Sequence, residues 1–328
     1  DRGCVPMVAC DVGAAIAMTK PDTEALAARI AEHPDYRVLR RLDVTREWPA
    51  VTGRGTAFAI VLDTETTGMD PATDKVIELA LVKFEYSRES GAIGRVFDTY
   101  DGLEDPGMPI PPESAAIHHI TDDMVRDQRL DEAAIGRVLE GAGLIIAHNA
   151  GFDRPFVEAR LPAFRAVPWA CSLKEVPWDS LGLGSAKLDY LAYRYGFFFE
   201  GHRAEIDCRA LLEVLRSPIP EFAAPASGTW GGTTAFRLLL DSAREPSCRV
   251  WATGSAFETK DVLRARGYRW EGDRRCWYGD VPRARLDEEL AWLKKNVYGG
   301  RVASVEVETF DARTRYSGRN GNKERVTV

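Results

Sequence analysis

A continuous apolar run at residues 58–62 passes directly into Asp63 and, two positions on, Glu65. A run without polar alternation suits a central strand buried on both faces. Strand period two then places Asp63 and Glu65 on the same side of the strand end. Two carboxylates aimed at one point repel each other and call for a cation between them. Oxygen-only ligands favour Mg²⁺ or Mn²⁺ over Zn²⁺. The Thr66-Thr67-Gly68 turn that follows brings backbone N–H groups and hydroxyls beside that point. The same residues also read as a polar strand end running into a turn, because Asp-x-Glu is a common pair.

Two further motifs carry the same kind of chemistry. HNAGFD at 148–153 follows a short apolar strand at 144–147. Its Asp153 stands shortly before Pro155 and also reads as a helix N-cap. His148 and Asn149 are placed to fix the intervening loop by hydrogen bonds. HRAEID at 202–207 follows Gly201, with His202 on a loop and Asp207 one turn into a helix at 203–215. Both can reach one pocket from the same side, and an imidazole titrating near ~6.5 can take a proton from water at neutral pH. An ordinary helix N-terminus is the other reading of this motif.

Around these motifs the chain alternates strands and helices. Strands are expected at 76–86 and 96–100, making an antiparallel meander with the first. Helices are expected at 112–118, 121–125, 131–140, 152–160, 188–195 and 203–215. That order predicts an α/β fold, a mixed sheet flanked by helices. A chain of 328 residues with 45% hydrophobic content has room for a second core. We expect a leader and helix at 1–52, a catalytic domain at 53–217, a linker at 218–232, a smaller α/β domain at 233–310 and a disordered tail at 311–328. The chain opens without a methionine, and Met18 is an alternative start.

The three motifs together resemble the DnaQ-like, or DEDDh, family of 3′→5′ exonucleases. That family includes the proofreading epsilon subunit of bacterial replicative polymerase, ribonuclease T and oligoribonuclease. The family letters match Asp63, Glu65, Asp153 and Asp207, with His202 as the "h", over residues 58–215. The resemblance implies a ribonuclease H-like fold and two divalent ions, Mg²⁺ or Mn²⁺. It implies that Asp63, Glu65 and Asp207 bind the first ion, that Asp63 and Asp153 serve the second, and that His202 is the general base. Activity at neutral to alkaline pH follows, because the base must be unprotonated. Among substrate contacts the resemblance implies Thr66, Thr67 and Asn149. His118 lies in the AAIHHIT segment at 115–121, where His119 replaces a usual glycine. Met69 occupies the place of a wedge between the last two bases, and Phe152 is a candidate for stacking. Core packing is the other reading of Met69 and Phe152.

Charge is unevenly spread. Residues 1–243 carry net −12 and residues 244–328 net +5, within a total of −7. Aromatics from Trp251 to Tyr298 interleave with Arg264, Arg266, Arg269, Arg274 and Arg275. That mixture suits single-stranded nucleic acid; it also suits a small core with a soluble surface. The six cysteines have no CxxC or zinc-ligand spacing and read as reduced thiols of a cytoplasmic protein. The apolar stretch at 5–18 is too short to span a bilayer. The expected function is a metal-dependent 3′→5′ exonuclease releasing nucleoside 5′-monophosphates from single-stranded or frayed DNA ends. An exoribonuclease and a polymerase-associated nucleic-acid binding module are the alternatives. The expected partners are a DNA or RNA 3′ end and a DNA polymerase. Deleting everything after Ser217 is expected to spare cleavage of short substrates.

Overall fold

The computed structural model describes residues 19–52, 55–220 and 232–328. The expected leader, and most of the expected linker, lie outside them. At the N-terminal end, α1 (Lys20–Ala31) is opened by a capping box between Thr19 and Asp22 and buries no residue.

The front sheet is built on β1 (Thr56–Thr66), the central strand. On one side it pairs antiparallel with β2 (Val76–Ser87), which pairs antiparallel with β3 (Ile93–Leu103). On the other it pairs parallel with β4 (Ala142–Ala147), which pairs parallel with β5 (Trp169–Cys171). The strand order is β3-β2-β1-β4-β5. With helices on both faces this is the ribonuclease H-like arrangement that the resemblance implies.

Period two divides β1 between two cores. Ala57, Ala59 and Val61 pack in one cluster with α6, defined below, whereas Ile60 and Leu62 pack in a second. Four helices matter for the site or its neighbourhood: α2 (Pro112–His118), α3 (Glu132–Leu139), α4 (Ala150–Arg160) and α5 (Leu188–Tyr195). The fifth, α6 (Ala204–Arg216), lays Ala204, Cys208, Leu211, Leu212 and Leu215 on the first cluster. The second cluster is closed by Ala150, Phe156 and Val157 of α4. Asp63 and Glu65 therefore leave the strand on the α6 side, and Thr64 on the α4 side.

Two expectations are corrected. The start of the small α/β domain expected at 233–310 is instead α7 (Ala235–Arg244), which packs on the front sheet. Its Phe236 ring meets Phe84 and Tyr86 at centroid distances of 5.4 and 5.2 Å. The stripe of Ala235, Phe236, Leu239, Leu240 and Ala243 shows that the helix needs cover, but not which sheet supplies it. The tail expected to be disordered is a tight turn at 311–319 followed by β10 (Asn322–Thr327).

The second sheet is wholly antiparallel. It contains β6 (Ser247–Trp251), β7 (Arg269–Glu271), β8 (Cys276–Pro282), β9 (Ser304–Phe310) and β10, in the order β10-β9-β6-β8-β7. β7 and β8 form a hairpin, with Trp270 opposite Trp277. Cys248, Val250, Val305 and Val307 pack there with Leu286 and Leu293 of α8 (Leu286–Asn296). Cys171, Cys208, Cys248 and Cys276 are free thiols. No helix among the described residues is long and apolar enough to cross a membrane.

Candidate active site

Three carboxylates meet at the end of β1. Ligand oxygens of Asp63, Glu65 and Asp207 lie within 4.8 Å of one another. Asp63 and Glu65 arrive by strand alternation, and Asp207 arrives from the first turn of α6, which covers that face. One Asp207 oxygen accepts the main-chain N–H groups of His202 at 2.7 Å and Arg203 at 3.1 Å. These are donors that the start of a helix leaves without partners, so Asp207 also fixes the loop before α6.

Asp153 reaches the strand end from the opposite face. It is buried in the first turn of α4 and accepts the Thr64 hydroxyl at 2.9 Å. The helix begins at Ala150 behind Asn149, whose side chain makes no cap bond, so Asp153 is not its N-cap. Strand alternation explains why this carboxylate stands outside the group of three: its contact is Thr64, which faces the other core.

Burial dominates the electrostatics. Asp63 is held far above the usual carboxylate range by desolvation, then by the charges of Asp153, Asp207, Glu65 and Glu78. Desolvation followed by Asp207 and Glu78 pushes Glu65 up to about 8. Burial raises Asp153 to about 7 against the opposing Thr64 bond. Asp207 is raised by burial to about 6 against the His202 N–H. None of the four forms an ion pair among the described residues; the nearby guanidinium of Arg203 is engaged by Glu78. Four uncompensated acids crowded at low dielectric, all with oxygen donors, fit hard divalent cations.

Glu78 escaped the sequence reading. It lies opposite Glu65 in the β1–β2 register and is 1% exposed. One of its oxygens accepts two guanidinium N–H groups of Arg203 at 2.9 and 2.7 Å, and the other accepts the Ala204 N–H at 2.9 Å. It therefore clamps the start of the helix that carries Asp207. Its signal in the sequence is one acid in the otherwise apolar run VIELALV at 76–82.

His202 is exposed and sits in the left-handed region at φ 66°, with its main chain tied to Asp207. His148 is half-buried, with its ring nitrogens 2.8 Å from the Ser172 hydroxyl and 2.7 Å from the Ala186 carbonyl. Burial drives its pKa down to about 4, so it is a neutral loop fastener, as its position suggested. His118 is buried, accepts the Ile120 N–H at Nδ1 at 3.0 Å, and has no partner for Nε2. His119, in the place of glycine, still adopts the left-handed cap of α2 at φ 60°. The Thr67 hydroxyl closes its own turn by accepting the Lys75 N–H, and that of Thr66 donates to the Gly68 carbonyl. Met69 is 79% exposed, which removes the core-packing reading. Phe152 is half-buried against the second core, with its ring 5.0 Å from that of Phe156.

The RNase T profile, an exonuclease family, matches residues 60–215. The DNA polymerase III subunit epsilon of Treponema pallidum is 32% identical over 187 residues, 54% of this chain and 83% of that protein. The chain belongs to the RNase T exonuclease family. A PolC-type DNA polymerase III of Thermotoga maritima is 32% identical over 171 residues, 49% of this chain but 12% of that one. E. coli exonuclease I in complex with a dA16 oligonucleotide aligns with a TM-score of 0.45 and 16% identity over 73% of this chain and 71% of that chain. The exonuclease family match takes in all four acids and His202. It ends within α6, so α7 and the second sheet lie beyond it.

Proposed function

We propose that the chain is a divalent-metal-dependent 3′→5′ exonuclease that releases nucleoside 5′-monophosphates from single-stranded or frayed DNA 3′ ends. The observation that carries this reading is the convergence of Asp63, Glu65 and Asp207 within 4.8 Å. These three would hold one cation, and Asp153 with Asp63 would serve a second. Bound cations would supply Lewis-acid stabilisation of charge developing on the transferring phosphate and its departing oxygen.

The chain's own residues would do the rest. His202, exposed beside Asp207, takes the proton of the attacking water. Asp207 keeps His202 in place through its main chain, and Glu78 keeps α6 in place beneath both. The P–O3′ bond breaks, so the phosphate leaves on the released nucleotide. Met69, exposed in the turn after β1, would separate the terminal base from its neighbour. The buried N–H of His118 is a candidate donor to a phosphate oxygen. The Treponema pallidum relative is by name a polymerase subunit, and on that ground we extend the proposal to association with a DNA polymerase.

The test uses 5′-labelled single strands of DNA and RNA with Mg²⁺, with Mn²⁺ and with EDTA. Wild type should shorten the DNA from its 3′ end only when metal is present. Asp63→Asn should lose at least about a thousandfold in rate, roughly 4 kcal/mol of barrier. Faster loss of RNA than of DNA would reassign the substrate, and a wild type inert on every 3′ end would sink the proposal.

A further inference from the structure

A cavity of about 670 Å³ opens between the front domain and the second sheet. Gly151 and Pro155 of α4 and Lys174 form one wall; β6, β8 and the turn at 315–320 form the other. Seven lysine and arginine side chains and four carboxylates line it, a net charge of +3 on a chain whose total is −7.

Arg274 and Arg319 pair with Glu306 and Glu158, which do not line the cavity, so the surplus rests on Lys174 and on the sharing of Asp280. Asp280 serves two guanidiniums, bonding Arg249 at 2.7 Å and Arg269 at 2.9 Å. Lys174 has no carboxylate partner among the described residues, and its ammonium lies 5.6 Å from the centre of the Tyr316 ring. Both faces available to cations are supported: Arg274 lies 3.8 Å over Trp251, and Arg269 4.9 Å over Tyr278. Stacked guanidiniums are pre-organised and keep edge N–H groups for other acceptors. The tyrosine and tryptophan faces are thereby occupied, so the cavity is equipped for phosphates rather than for stacked bases. Its α4 wall begins two residues before Asp153, which places it next to the acid cluster along the chain.

We propose that this cavity binds the sugar-phosphate backbone of the single strand behind the 3′ end, without regard to sequence. This rests on the exonuclease reading for the direction of the strand, but not for binding itself. Phosphate neutralisation by Lys and Arg predicts an affinity that falls as salt rises, with a slope set by the number of phosphates contacted.

The experiment measures binding of fluorescent dT20 to the full chain carrying Asp63→Asn, in EDTA, with and without Lys174→Ala and Arg269→Ala together. Neither of those two side chains belongs to the acid cluster. The double change should weaken dT20 binding about tenfold or more at 0.1 M salt and reduce the slope of log affinity against log salt by about 1.4. In the metal-loaded enzyme with Asp63 restored, KM for dT20 should rise by a similar factor while cleavage of a trinucleotide is unchanged. Equal binding of dT20 with and without the two substitutions would overturn the proposal. So would competition by dTMP at the concentration at which dT20 competes, which would make the cavity a nucleotide site. If wild type binds dT20 in this way but cleaves nothing, the catalytic reading fails and the cavity assignment stands.

Discussion

Asp63 carries the conflict between stability and chemistry at the scale of a single residue. Its carboxylate is desolvated and surrounded by Asp153, Asp207, Glu65 and Glu78, so the metal-free fold favours its protonated form. The direction of the linkage follows. A carboxylate whose folded pKa is raised contributes its full stability below the ordinary value near ~4 and loses it as pH rises through the folded value. Glu65 near 8, Asp153 near 7 and Asp207 near 6 set the window. Metal-free protein should lose thermal stability between about pH 5 and 8. Asp63→Asn, which removes one charge from the crowd, should raise the melting temperature at pH 8 by at least about 3 °C and leave it nearly unchanged at pH 4. Saturating Mn²⁺ should reverse the order at pH 8, because only wild type keeps the full donor set. Calorimetry at the two pH values, with and without metal, checks this; a less stable Asp63→Asn at pH 8 without metal would refute it.

At the scale of elements, the site depends on how α6 is seated on the sheet. Glu78 joins strand β2 to the start of α6 through Arg203 and the Ala204 N–H, and Asp207 is four positions into that helix. Glu78→Gln keeps the shape but loses the charge-assisted bonds to Arg203. A supporting residue of this kind should cost about 10–100-fold in kcat, with KM for DNA changed by less than about threefold. A variant that melts lower but keeps wild-type kcat would reduce Glu78 to a structural role. What was legible in the sequence follows the same division. The central strand and its acids could be read because an apolar run and a two-residue carboxylate spacing are local patterns. The arrival of Asp207 on one face and Asp153 on the other follows from period two, once the helices flanking β1 are known. Glu78 was not legible as a clamp, because its partner lies 125 residues away in the chain. Nor was the short strand β5, whose three residues are too few to show a period.

At the scale of the whole molecule, the C-terminal residues are built into the front domain. α7 covers the first core with Phe236, Leu239 and Leu240, each a side chain whose burial contributes about 1.5–3 kcal/mol. Deleting everything after Ser217 removes this cover, so the packing predicts a destabilised catalytic domain, where the sequence alone predicts spared cleavage of short substrates. The tail is held by Arg154, a fully buried residue of α4. Its guanidinium donates to the carbonyls of Ala312 at 3.2 Å, Arg315 at 2.5 Å and Arg313 at 2.5 Å, and to Glu158 at 2.7 Å. Composition marked the tail as disordered because its polar residues offer no core. Its order comes instead from main-chain carbonyls captured by one buried cation, together with the pairing of β10 on β9. If Arg154 is the shared element, then Arg154→Met and truncation after Phe310 both remove its bonds to the carbonyls of Ala312, Arg313 and Arg315. Each alone should destabilise the fold, Arg154→Met by about 3–5 kcal/mol because a buried pair is broken. Together they should cost clearly less than the sum, by more than about 1 kcal/mol. Urea denaturation of the four proteins in this cycle measures the coupling, and strict additivity would show that the tail is held by something other than Arg154.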